Sequence, residues 1–236
     1  MSAIDATWPP AEFAQSGPFR LRRGAGGGKR VSAASAGGAA ASAGEISAAE
    51  NAMKAWDQVP MFRLLEEDAA LSADLAAKGY GVMDPTMLYA APVAALTGEG
   101  GHVAAAYRAQ LVPAVMREIW DGGGIGQSRR AVMARAAAPS IYLMSRTQDR
   151  PAGAAFVAVD GDVAMIHAIE VKDRYRRQGC ARLLMEAGAR FASENGAAWM
   201  TLAVTEANAA ARALYERMGM TAVGRYYYRV AGEGQP

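Results

Sequence analysis

The chain has 236 residues, of which 52% are apolar and 20% charged, enough to bury a sizeable core and too apolar for a mainly disordered protein. A formal charge of only +2 gives no support to a nucleic-acid partner, and one cysteine excludes an internal disulfide framework. Two histidines far apart with that single cysteine make a poor zinc set.

Residues 1–18 are rich in Pro and Ala and are expected to form an irregular leader. Met1 to Gln15 lacks a basic stretch followed by an apolar one, and no apolar run reaches membrane-spanning length, so a cytoplasmic protein with no membrane partner is expected. Phe19 to Arg23 and Arg30 to Ser35 read as strands around the Gly24–Gly28 run. That run is not a phosphate-binding P-loop, because Arg23 stands at its first glycine position and Arg30 follows Lys29. Ile46 to Trp56 reads as a helix starting near Glu45 or Ser47. A strand (Met61 to Leu65), a helix (Ala69 to Lys78), a stop at Gly79 and a strand around Met87 to Ala90 follow.

Val103 to Arg135 reads as largely helical, broken at Asp121–Gly124, a run whose glycine spacing fails the dinucleotide pattern. Ser140 to Ser145 and Gly153 to Val159 alternate as strands, and Asp160-Gly161 predicts a two-residue hairpin into Val163 to Val171. After Gly179, Leu184, Ala187, Gly188 and Phe191 recur with helical period, and Asn195-Gly196 ends that helix. A buried strand (Trp199 to Val204), a helix (Asn208 to Met218), a stop at Gly219 and a strand (Tyr226 to Val230) complete the pattern; residues 232–236 read as a mobile tail.

Met61–Glu67 can be laid over Met200–Glu206, and Leu75–Tyr80 over Tyr215–Met220 with one residue of gap. Both segments read strand, helix, glycine stop, strand, as a repeat would, although any alanine-rich unit of that kind aligns comparably.

The chemistry concentrates between Ile166 and Tyr215. An apolar strand leads into Arg174-Tyr175-Arg176-Arg177-Gln178-Gly179-Cys180-Ala181, a basic turn opening directly into a helix. Free N–H groups at the positive end of a helix suit an anionic phosphate, Gly179 lets the backbone approach it, and Arg176 and Arg177 can add charged contacts. Asn208, Ala211 and Tyr215 mark a later helix, Tyr215 lying about two turns after Asn208.

Arg176–Ala181 resembles the acetyl-coenzyme A loop of the GNAT superfamily of N-acetyltransferases (Gln/Arg-x-x-Gly-x-Gly/Ala), and the resemblance extends over about Val103 to Val230. It implies a mixed α/β fold with a mostly antiparallel twisted sheet flanked by helices. Residues 101–231 would be the catalytic domain and residues 19–100 a degenerate copy, since the first half lacks the loop and has Leu75 where Tyr215 stands. Tandem members with one silent half have this layout.

By the same resemblance, Ile169 and Val171 would pair through their backbone with the pantetheine of acetyl-CoA, with an N–H near Val171 facing the oxyanion. Arg176, Arg177, Gln178, Gly179, Cys180 and Ala181 would hold the pyrophosphate. Tyr215 would contact the cofactor and protonate the leaving thiolate, or be a core aromatic. Asn208 is a cofactor contact or a helix N-cap. Glu170 is the candidate base for the amine, unless it faces solvent or pairs with Arg174 or Arg176. Strict alternation puts His167 on the face opposite Glu170, as an acceptor-pocket base or a satisfied core histidine. Tyr227 borders the acceptor pocket or packs the sheet, and Cys180 is expected to be a small packing residue. The expected reaction is acetyl transfer to a primary amine, a small molecule or peptide, by a monomer or homodimer. A silent acetyl-CoA-binding module and an enzyme acting on a protein N-terminus or lysine are the alternatives.

Overall fold

The computed structural model describes residues 3–97, 106–137 and 139–232. They form two compact units whose segments interleave along the chain. The larger comprises Met1–Pro9, Tyr89–Ala203 and Ala210–Thr221; the smaller comprises Pro10–Leu88, Val204–Ala209 and Ala222–Pro236. The chain is thus not simply divided near residue 100. The expected boundary itself, the first residues of the helix expected from Val103, and residues 233–236 of the expected tail lie outside the described residues.

In the larger unit, strands β5 (Ala106–Ala109), β6 (Ser140–Thr147), β7 (Arg150–Asp160) and β8 (Val163–Val171) pair antiparallel in succession. Helix α7 (Cys180–Glu194) then crosses over so that β9 (Trp199–Thr205) runs parallel to β8. The sheet is therefore mixed and mostly antiparallel. The β7–β8 loop is Gly161-Asp162, one residue later than the predicted pair, and Gly161 supplies the positive φ of +60° that a tight hairpin needs. Helices α4 (Val93–Leu96), α5 (Ala114–Gly122), α6 (Gln127–Arg135) and α8 (Ala209–Arg217) complete this half of the chain. Helix α7 buries Leu184, Ala187, Gly188 and Phe191, as its period predicts.

Several expectations are corrected. The leader is not irregular: α1 (Ala3–Thr7) belongs to the larger unit, and β1 (Glu12–Ser16) pairs with β2 (Phe19–Arg23) in the smaller. Residues 106–109 are strand, not helix, and Pro113 sets the start of α5. Trp199 is 45% exposed, because β9 buries only alternate residues.

The smaller unit contains α2 (Ala43–Lys54), β3 (Met61–Leu64), α3 (Ala69–Ala77), the first part of β4 (Gly81–Pro92) and most of β10 (Thr221–Val230). Helix α2 begins earlier than predicted because Ser42 and Glu45 form a reciprocal capping box. Of the strand expected over Arg30–Ser35, only Ala34 and Ser35 pair, as isolated bridges to Phe62 and Arg20, and a 3-10 turn at Lys29–Val31, entered through Gly28 at φ +96°, takes the place of its start. Strand order here is β3-β10-β4, so the N-terminal sheet is completed by the last strand of the chain. Phe19, Ile46, Met53, Phe62 and Leu75 form its core. The successions β3–α3–β4 and β9–α8–β10 share the strand–helix–strand order read from the sequence. Among the described residues no helix is long and apolar enough to cross a membrane.

Candidate active site

Strand β8 carries the site, and its geometry departs from simple alternation. Phe156 pairs with His167 and Ala154 with Glu170, so Ala155 alone stands opposite both Ala168 and Ile169. This is a β-bulge, and Ala168 takes a left-handed φ of +51° within it. Phe156 and Ala154 lie on one face of β7, so their partners His167 and Glu170 share a face of β8. The expectation that they oppose each other is corrected by that extra residue. The ladder between β8 and β9 covers Val163–Met165 against Trp199–Thr201, while β8 continues to Val171.

Helix α5 meets the bulge. The buried Trp120 donates its indole N–H to the Ala168 carbonyl at 2.8 Å. One turn on, Gly123 abuts the Glu170 carboxyl group: a Cβ there would lie 2.4 Å from Cδ and Oε2. The Glu170 side chain is only 18% exposed, with one carboxylate oxygen 3.4 Å from Arg176 Nη2. A cleft of roughly 490 Å³ opens here, lined chiefly by Glu118, Ile119, Gly123, Glu170, Lys172 and Arg174. Trp120, Gly123 and Glu118 were missed by sequence reasoning. The glycine run after an amphipathic helix was the available signal, but nothing local pairs it with a strand about fifty residues later.

The turn before α7 has the predicted form. Arg177 (φ +61°) and Gly179 (φ +82°) are left-handed, Gly179 is the N-cap, and α7 starts at Cys180. Residues Arg176, Arg177, Gln178 and Gly179 are exposed, and a Cβ on Gly179 would meet nothing within 4 Å. The open side of this turn thus leaves the unpaired N–H groups of the first turn of α7 approachable by an anion. Arg176 is folded back toward the strand: Nε donates to the Val171 carbonyl at 3.2 Å and Nη2 pairs with Asp173 at 2.9 Å. Gln178 donates to the Arg174 carbonyl, which braces the turn. Cys180 packs with Ala152, Val171 and Tyr175, with Ala181 alongside, and burial pushes its thiol pKa up, so it is a packing residue and not a thiolate.

The other predicted residues disperse. Tyr215 is 6% exposed and lies 6.2 Å from the Tyr89 ring, centroid to centroid; burial pushes its hydroxyl up to about 12. His167 is interior, with its ring 4.9 Å from that of Trp8 and Nε2 2.9 Å from Thr7 Oγ. Because the Thr7 hydroxyl donates its only hydrogen to the Ala3 carbonyl, Oγ must accept, and Nε2 carries the proton. Asn208 immediately precedes α8 in the N-cap position, in the smaller unit. Tyr227 is also in the smaller unit, where its hydroxyl donates to Ser72 Oγ at 2.9 Å; Tyr226 and Tyr228 are buried against each other. The structure therefore brings together Ile169, Glu170, Val171, Arg176 and the Gly179 turn.

This arrangement has counterparts. Residues 113–220 match the acetyltransferase (GNAT) family. A streptothricin acetyltransferase from Streptomyces lavendulae is 38% identical over 99 aligned positions, covering 34% of this chain and 52% of that protein. The chain thus matches about half the length of that relative. In fold, the chain is similar to a GCN5-related N-acetyltransferase from Kribbella flavida, with a TM-score of 0.73 at 20% identity, over 98% of this chain and 93% of that one. It is also similar to a tandem GNAT protein from the clavulanic acid biosynthesis pathway, with a TM-score of 0.61 at 15% identity, over 96% and 85% of the two chains. Residues 113–220 are an acetyltransferase (GNAT) family domain.

Proposed function

We propose that the protein is an acetyl-CoA-dependent N-acetyltransferase that moves the acetyl group from the thioester to a primary amine by direct attack in a ternary complex. The observation that carries this reading is the placement of a partly buried carboxylate, Glu170, in a cleft beside the bulge of β8, on the strand that leads to the open Gly179 turn. Acetyl-CoA supplies the activated acyl group. The Gly179 turn and the start of α7 fit its pyrophosphate, because positive φ and open space let a phosphate approach the backbone. The backbone of β8 beyond Met165 fits the pantetheine amides as an added strand.

Glu118, Glu170 and Asp173 line the cleft against the two cations Lys172 and Arg174, so carboxylates outnumber cations by one and an ammonium group can find a carboxylate partner there. Glu170 takes the proton that the amine must lose, directly or through water, and Arg176 holds the carboxylate from one side. Tyr215, which lies outside the lining of that cleft, is assigned as the proton donor to the leaving thiolate on the family resemblance. With its hydroxyl pushed up to about 12 it remains protonated at neutral pH, so its proton moves only as the thiolate forms.

The relative named for streptothricin supports a small-molecule acceptor over a protein one. Thiol release from acetyl-CoA across a panel of amines, amino acids and peptides tests the proposal. Release that depends on the acceptor is expected. Cofactor binding without release for any acceptor would instead favour a silent binding module.

A further inference from the structure

Helix α5 makes two contacts with one short stretch of β8: Trp120 with the Ala168 carbonyl and Gly123 with the Glu170 carboxylate. Trp120 is fully buried, and its apolar ring also packs near Tyr142, with centroids 6.1 Å apart. A phenylalanine would fill most of that space. What the indole adds is one N–H, and that N–H is spent on the Ala168 carbonyl at 2.8 Å. Ala168 is a residue with a side chain held at φ +51°, a conformation that persists only where its surroundings enforce it. The bulge at Ala168 and Ile169 reverses the facing of every later residue in β8 and so turns Glu170 toward the cleft.

We propose that Trp120 is a positioning residue: its indole N–H holds the Ala168 carbonyl, thereby fixes the bulge, and through the bulge sets the Glu170 carboxylate in the cleft. This rests on Glu170 being the base of the proposed acetyl transfer. Trp120 itself touches no reacting atom. Without the donor, the Ala168 carbonyl loses its hydrogen bond and nothing else described on α5 holds the bulge against sliding into plain β pairing.

The test is Trp120→Phe, read in two ways. In the free protein, amide hydrogen exchange followed by NMR should speed up about tenfold or more at Ile169 and Glu170, while Ala164 to Ile166, inside the β7–β8 ladder, exchange at the wild-type rate. In thiol-release assays with the best amine of the panel, kcat should fall about tenfold to a hundredfold. The same change in a Glu170→Gln background should cost less than twofold, because a residue acting through Glu170 has nothing left to position. Unchanged exchange at Ile169 and Glu170, or an equal loss in both backgrounds, overturns the role of Trp120. If Glu170→Gln alone retains full turnover, the assignment of the base fails and the role of Trp120 falls with it, a result distinct from the others. Trp120→Tyr, which keeps an aromatic but directs its hydroxyl elsewhere, should behave as the Phe variant; recovery of full turnover by Tyr also counts against the indole N–H.

Discussion

Replacing Gly123 by Ala adds one methyl group, and the structure says where it goes. The new Cβ would lie 2.4 Å from Glu170 Cδ and Oε2 and 2.5 Å from Cγ, against 3.4 Å or more for ordinary contact. The backbone does not resist the change: Gly123 has φ −95°, ψ 12°, open to any residue. At such a position Gly→Ala alone stabilises by about 0.4–1 kcal/mol through the unfolded chain. The clash falls on a flexible side chain, so the carboxylate yields by about 1 Å while the fold stays intact. A displacement of that size in a reacting group costs up to about a hundredfold in rate, or ~2.7 kcal/mol of transition-state stabilisation. Thiol-release kinetics alongside a thermal melt decide the matter. The expected result is kcat/KM lower by ten- to a hundredfold with Tm within a few degrees of wild type. Activity within twofold of wild type would refute the role of the Glu170 position, and a collapse of Tm would show that Gly123 serves packing instead.

Three other perturbations have defined outcomes. Gly179→Ala puts a side chain at φ +82°, costing about 1–2 kcal/mol of backbone strain, and places a methyl in open space where a phosphate would approach; acetyl-CoA affinity by calorimetry should fall about tenfold, and unchanged affinity would count against the turn as the phosphate site. Burial raises Tyr215 to about 12, above the ~10 of an exposed tyrosine, so its protonated form is favoured by the native state. Its contribution, on the order of 2.7 kcal/mol, is fully present below pH ~10 and lost as pH rises through about 12. Urea unfolding between pH 9 and 12 should show a shallower loss for Tyr215→Phe, whose turnover should also drop far more than its cofactor affinity; identical pH slopes would remove the burial argument. Cys180 is 2% exposed with a raised thiol pKa, so iodoacetamide should label it slowly at pH 7.5 and Cys180→Ala should keep most activity; rapid labelling would contradict that environment.

The sequence by itself determined what is local. The Gly179 turn and helix α7 were legible because a left-handed N-cap glycine and a 3.6-residue period are properties of neighbouring residues. The β7–β8 hairpin was readable within one residue for the same reason. The strand–helix–strand order of both halves followed from their glycine stops. Other features depended on partners far away in the chain. Residues 12–16 carry no strong strand pattern and became a strand only through pairing with β2. The capping box at Ser42 was hidden in a Gly/Ala/Ser stretch that looks like loop.

The site shows the division most sharply. That β8 ends in Ile169-Glu170-Val171 is plain from the residues, but which way Glu170 faces is not, since a period of two admits no extra residue. The bulge that reverses it sits at an alanine, which has no intrinsic preference for φ +51°. What holds it is an indole from a helix some fifty residues earlier, and what confines the carboxylate is a glycine at the end of that helix. Side-chain direction on a strand is decided by register, and register is a property of two or more segments packed together. Only the tertiary structure supplies those segments.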